Sequence, residues 1–358
     1  MSTIEHAPAP DDGVVEQRPT AFPTPRGPLS ETAIAALRSG RTDDVPTAAA
    51  AALDATDGVR HDADLQLALL LLQWLSYGGV AGVDDRLEQD GSLLAARAAI
   101  EAAFERELRA TIPVPALPER TGAAVTAALL ALTGEDDGPS TSRYIARSAT
   151  LEQAREYLVH RSISTLQEAD PYAFAIPRLS GRSKAALIEI LSDEFGGGRP
   201  GRMHSAIFAR SMRAAGLDDA VGAYLDAVPV VTLAAMNAVA KFGLHRRLRG
   251  AAVGHLAAVE MTSSIPMRFL GTGFRRLGFD ADGTWYFDEH VEADAVHEQI
   301  AARDLAGGLA DAQPDLAEEV VFGAAACLAL EGAVGAHQLD AWKAGRSSLL
   351  TPLPATAA

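Results

Sequence analysis

Apolar residues recur at intervals of three and four over most of this chain, and alternating apolar and polar runs are scarce. A period near 3.6 marks helices with one buried stripe, so the pattern predicts an all-α protein. Ser30-Glu-Thr-Ala opens a first helix, residues 65–75 read as a buried one, and 93–108 continue the series. Prolines at 112–118 and a Gly, Asp, Pro and Ser cluster at 134–142 then interrupt the pattern, which places a boundary near 138. Thr150-Leu-Glu-Gln153 is a capping box that starts a helix running to about Ala169, where Asp170-Pro171 ends it. Further helices are expected at about 182–195, stopped by Gly196-Gly-Gly198, and at about 202–215. Pro229 and Pro266 bracket two long helical patterns, and others follow at about 287–304 and 315–339. Four parts result: a proline-rich disordered arm at 1–29, an N-terminal helical subdomain at 30–138, a larger helical domain at 139–345, and a tail at 346–358.

Composition narrows the function. A net charge of -16 repels phosphate backbones and anionic lipid, so neither nucleic acid nor membrane is an expected partner. The short run Arg246, Arg247, Arg249 reads as the solvated face of a helix. The single cysteine, Cys327, excludes an intrachain disulfide and a cysteine-based metal cage, which with the absence of a basic-then-apolar leader points to a cytoplasmic protein. The stretch 65–75 is well short of the ~20 residues needed to cross a bilayer.

The densest chemical signal is His290-Val-Glu-Ala-Asp294-Ala-Val-His297. Positions i, i+4 and i+7 lie within roughly 60° of one another on a helix, so the three metal-competent side chains share a face. The bland alternative is a polar stripe facing water. Glu194 falls on the face defined by Leu187, Ile190 and Leu191, where a carboxylate needs a partner, either a cation or an arginine. His204 follows ten residues later, and on an unbroken helix the two would stand ~15 Å apart. Gly196-Gly197-Gly198-Arg199-Pro200-Gly201 breaks the helix and frees the chain to bring both to one centre. A phosphate-cradling loop is the competing reading, but no Lys-Ser/Thr ending follows and no strand precedes it. Glu168, just before Asp170-Pro171, is unremarkable by itself. His160, His255 and Glu260 read as hydrogen-bonded side chains, with Glu260 and His160 the two to watch beside a site.

Together, Glu168, Glu194 with His204 ten residues on, and His290-x3-Asp294-x2-His297 resemble the ligand pattern of the haem-oxygenase-like diiron oxidases and oxygenases. The segments Glu168-Ala-Asp-Pro-Tyr-Ala-Phe-Ala-Ile-Pro177 and Asp193-Glu-Phe-Gly-Gly-Gly198 carry the same likeness. It spans about residues 140–345 and implies a haem-oxygenase-like bundle behind an auxiliary helical region. It further implies two iron ions held by those six residues, dioxygen as co-substrate and an external reductant. The implied outcome is N-oxygenation of an amine or guanidine, or desaturation or C–C cleavage of an amino or fatty acid. Carboxylates and imidazoles suit iron or manganese independently of the resemblance, and two ferrous ions nearly balance three carboxylates in a core. A small-molecule substrate is expected, and a homodimer is compatible. The alternatives are a two-metal zinc or manganese hydrolase and a helical interaction protein with a degenerate site. Haem binding would leave Glu194 and the three-ligand helix unexplained, and Cys327 in its apolar helix is a poor nucleophile.

Overall fold

The computed structural model describes residues 21–134 and 140–353, with the side chains at 292–296 outside the described set. In chain order the helices are α1 (Pro28–Ser39), α2 (Val45–Ala55), α3 (Ala63–Trp74), α4 (Gly91–Thr111), α5 (Gly122–Leu132), α6 (Thr141–Arg147), α7 (Leu151–Thr165), α8 (Asp170–Ala173), α9 (Gly181–Glu194), α10 (His204–Ala214), α11 (Val230–Leu244), α12 (Arg249–Arg276) and α13 (Ala281–Gln299). A π-helical segment, Ile300–Gly307, continues α13 and leads into α14 (Gly308–Ala312) and α15 (Ala317–Lys343). No strand occurs among the described residues, so the fold is all-α.

Helix α12 is the axis of the bundle. Every residue from Gly250 to Ala258 is buried, and α15, α13 and α6 pack around it. Its contact with α15 is backbone against backbone. A Cβ at Gly254 would sit 1.8 Å from the Val320 carbonyl oxygen, and one at Gly323 would sit 2.1 Å from that of Ala251. Glycine is required there because nothing larger fits between the two helices. Apolar α15 is consumed by this core: Pro314–Lys343 is long and apolar enough to span a bilayer, but 56% of an apolar 18-residue window within it is buried inside the protein.

The N-terminal helices are bolted to the bundle by buried polar pairs. Leu65 to Trp74 on α3 are all buried, as the apolar run predicts, and α3 lies between α1, α4 and α11. Asn237 on α11 donates to Gln66 Oε1 at 2.7 Å, and Gln73 donates to Glu101 at 3.1 Å. Glu101 and Glu105, one turn apart on α4, meet His245 and fully buried Lys241 of the α11 end. Arg247 and Arg109 also donate to Glu105. Burial alone would raise the Glu105 carboxyl, yet hydrogen bonds from Arg247, Lys241 and Arg109 hold it well below the usual carboxylate range.

Several local expectations are revised. The capping box forms, with Thr150 and Gln153 exchanging hydrogen bonds, but α7 ends at Thr165 and leaves Glu168 in a turn. Pro266 lies inside α12 and does not bound it, because packing along the whole helix outweighs one lost hydrogen bond. Of the expected arm, residues 1–20 lie outside the described residues, whereas Thr24 bonds to Asp226 and Arg26 donates to the carbonyls of Leu225 and Val228. The boundary expected near 138 also falls outside them. Within the expected tail, Ser348 is buried and donates through its backbone and hydroxyl to Glu156 on α7, at 2.8 and 2.6 Å.

Replacing Glu105 by alanine strands Lys241 without its carboxylate, which is expected to cost about 3–5 kcal/mol in unfolding free energy at neutral pH. Because the folded carboxyl is held low, its contribution is present above the unfolded value of ~4.3 and is lost as the pH falls below it. Urea denaturation at neutral and acidic pH is therefore expected to show a gap between wild type and Glu105→Ala that closes in acid. A gap independent of pH contradicts this assignment.

Candidate metal centre

Five segments deliver side chains to one place in the bundle. Glu168 comes from the turn after α7, Glu194 from the last residue of α9, His204 from the first residue of α10, His290 and His297 from α13, and Glu260 from α12. The break between α9 and α10 is what allows two neighbouring ligand positions. Gly196, Gly197 and Gly198 all take left-handed backbone, with φ of 66°, 60° and 77°. That conformation is disfavoured for residues with a Cβ. Gly196 is constrained twice, since a Cβ there would lie 2.6 Å from the Arg202 carbonyl carbon. Reversal at this point leaves His204 Nδ1 2.9 Å from Glu194 Oε2, in place of the wide separation of a continuous helix. Two donors each about 2.1 Å from one ion and at right angles stand about 3 Å apart, so this spacing suits shared coordination.

Glu168, His204 and His290 each present a ligand atom, and these atoms lie within 4.8 Å of one another. Both histidines are buried. His290 donates Nδ1–H to the Tyr286 carbonyl oxygen at 2.8 Å, which leaves the Nε2 lone pair for a metal. The Tyr286 hydroxyl donates to both oxygens of Glu168, at 3.0 and 3.2 Å, and so fixes the carboxylate's orientation. Burial, and then the Glu168 charge, push this phenol well above its ordinary value and keep it a donor. Arg161 stands 4.0 Å from Glu168 and is itself held by Glu331 at 2.8 Å.

Two turns along α13, His297 is gripped from both sides. Nε2 donates to Asp193 at 2.9 Å, and Nδ1 lies 3.3 Å from Glu260 Oε2. Glu260 and then Asp193 raise His297 to about 9, against the effect of burial. Burial pushes the Glu260 carboxyl up as well. Glu168, Glu194, Glu260 and His290, with Tyr172 and Ser263, line an enclosed cavity of about 10 Å³. Two buried glutamates and the half-buried Glu168 around so small a space demand a compensating positive charge, and the donor set of carboxylates and imidazoles fits iron. Size does not identify this site: an open groove of about 870 Å³ between α2 and α4 has no histidine in its walls.

The structure thus gathers Glu168, Glu194, His204 and His290, and places His297 at the edge of the same cluster through Glu260. Asp294 belongs to α13, and its side chain lies outside the described residues. Glu260 proves to be a member of the site. A signal for it was present, because it is the sole acid of α12 and stands at i+3, i+4 and i+7 from buried Ala257, Leu256 and Val253. Asp193, Tyr286 and Arg161 carried no comparable signal. His160 is remote from the centre and holds the C-terminal segment, with Nδ1 2.7 Å from Thr232 Oγ1 and Nε2 3.2 Å from Ser348 Oγ.

Residues 155–332 match the model of the iron-containing redox enzymes, a span that includes every residue of the cluster. Over 191 residues the chain is 25% identical to the nitrosourea synthase of Streptomyces achromogenes subsp. streptozoticus. That alignment takes in 53% of this chain and 41% of the relative, so the chain spans well under half of that protein.

Two outcomes are expected from this geometry. Gly196→Ala meets both an unfavourable φ and the Arg202 backbone, whereas Gly197→Ala meets only the φ, which costs about 1–2 kcal/mol. Metal titration and thermal unfolding should find Gly196→Ala the more damaged variant on both counts; equal effects would dismiss the close approach at Arg202. Secondly, in the metal-free protein His297 stays protonated up to about 9, a source of stability that fades as the pH rises through that value. A metal at Nδ1 must displace that proton, so ferrous affinity is expected to climb with pH and level off above about 9. Proton release on loading, followed with an indicator in weak buffer, should shrink in His297→Ala.

Proposed function

We propose, from the premise that the bundle formed by residues 155–332 belongs to the iron-containing redox enzyme family, that this chain is a non-haem diiron oxidoreductase that uses dioxygen to oxidise a small molecule. The observation that carries the reading is the convergence of Glu168, Glu194, Glu260 and His290 on one enclosed cavity, with His204 beside Glu194 and His297 beside Glu260. Glu168, Glu194, His204, His290 and His297 would hold the metal, with Asp294 joining by its place in the α13 pattern and Glu260 adding a carboxylate. Two divalent ions answer the charge of this many carboxylates where one would leave a large surplus buried. Carboxylates also bridge paired metals in helical bundles.

Iron held by these residues would supply the electrons for reducing dioxygen, with an external reductant as their source in further turnovers. The protein's own contribution is positional and electrostatic. Tyr286 orients Glu168 and keeps its proton, the Asp193–His297 bond fixes which imidazole nitrogen faces inward, and the closed cavity limits water. Of the possible outcomes, nitrogen oxidation of an amine or guanidine gains support from the relative named a nitrosourea synthase, since that product class carries an oxidised nitrogen. Desaturation or C–C cleavage of an amino or fatty acid remains the other branch of the same chemistry.

The test is anaerobic loading with ferrous iron, a count of iron per chain, and dioxygen consumption on mixing. Two iron ions per chain and rapid dioxygen uptake are expected, with one position lost in His297→Ala. A zinc-loaded chain that hydrolyses substrate, paired with an iron-loaded chain that takes up no dioxygen, would instead establish a hydrolase.

A further inference from the structure

We propose that Tyr172 and His255 form a proton-coupled electron donor to the metal centre, in which the phenol gives one electron to a dioxygen-derived oxidant and its proton to His255 Nδ1. The inference rests on the diiron reading above.

Tyr172 opens onto the same cavity as Glu168, Glu194, Glu260 and His290. Its hydroxyl lies 2.8 Å from His255 Nδ1, and both side chains are buried. Phe242 packs edge-on against His255, and Phe322 packs on Phe242 in turn, so the imidazole stands in apolar surroundings. Burial, and then the Arg161 charge, push His255 down to about 3, which keeps it neutral and able to accept. Burial keeps the phenol protonated, and with the imidazole proton on Nε2, as the proposal requires, Tyr172 donates and Nδ1 accepts.

A neutral phenol yields an electron with difficulty while it retains its proton, since a buried cationic radical is unsolvated. A base already at hydrogen-bond distance removes that obstacle. The step balances as written: the O–H bond breaks, the proton forms a bond to Nδ1, one electron reduces the oxidant, and a neutral tyrosyl radical faces an imidazolium. The external reductant returns the electron, and the proton goes back to oxygen.

Tyr286 also touches the centre, but it is not equivalent. Its hydroxyl is bonded to Glu168, so a proton lost along that bond would neutralise a carboxylate needed for the metal. His255 takes no part in the cluster and can hold a proton without disturbing a ligand.

A purely structural role for the pair, as a buried phenol satisfied by an imidazole, predicts the same packing loss on substitution but no radical. The full chain is therefore loaded anaerobically with ferrous iron, mixed with dioxygen, freeze-quenched for EPR, and followed in parallel for dioxygen uptake. The expected result is an organic radical line that narrows with ring-deuterated tyrosine and is lost in Tyr172→Phe. It is expected to be lost as well in His255→Gln, which can accept the hydrogen bond but not keep the proton. Should one variant fail to fold, the other decides. In the metal-free chain, nitrogen NMR at neutral pH should show His255 carrying its proton on Nε2; a proton on Nδ1 overturns the arrangement. Dioxygen uptake without a radical in wild type, or an undiminished radical in Tyr172→Phe, overturns the relay and leaves the diiron reading intact. No dioxygen uptake by the iron-loaded chain removes both.

Discussion

Three glutamates turned towards one small cavity inside a helical bundle set the terms for everything around them. Glu168, Glu194 and Glu260 come from different segments, and none is placed there by a neighbour in sequence. Desolvated carboxylates repel one another and lose their water, so the fold holds them only with countercharge and hydrogen-bond donors aimed at them. His204 approaches Glu194, His297 approaches Glu260, and Tyr286 with Arg161 attends Glu168. The helices that carry these groups are themselves locked by close crossings such as Gly254 against Val320, so the cluster cannot relax by spreading apart.

How much of this was legible beforehand follows from which forces are local. Helix period, the Thr150 capping box and the Gly196–Gly198 break are short-range features and emerge from the residues themselves. The shared face of His290 and His297 is likewise a property of one helix. Glu168 had no local mark, because its significance lies in the turn after α7 facing α13, a contact between residues more than a hundred positions apart. Pro266 misled for the opposite reason: local propensity argued for an end, and packing along α12 overrode it. The tether of Ser348 to the buried carboxylate Glu156, nearly two hundred residues away, had no local mark either.

The N-terminal helices likewise cannot be understood as an appendage. Their contact with α11 contains Lys241 with no exposed surface and two glutamates one turn apart that answer it. Such an arrangement is specific in register, since a slip of one residue on either helix would bury charges without partners. α11 in turn packs against α12 and α15, so the auxiliary helices brace the helix that carries Glu260.

The grip on His297 has a consequence in time. The residues from Glu168 to His297 span most of the bundle in sequence, so the cluster is a non-local structure that exists only once distant helices have packed. Until iron arrives, the finished protein must tolerate its own buried acids. The proton that His297 holds between Asp193 and Glu260 supplies positive charge in that interval, and on the proposed reading it is the place-holder for a metal. Replacement of that proton by metal would let the bundle assemble first and be armed afterwards, the larger charge arriving only once the fold is able to hold it.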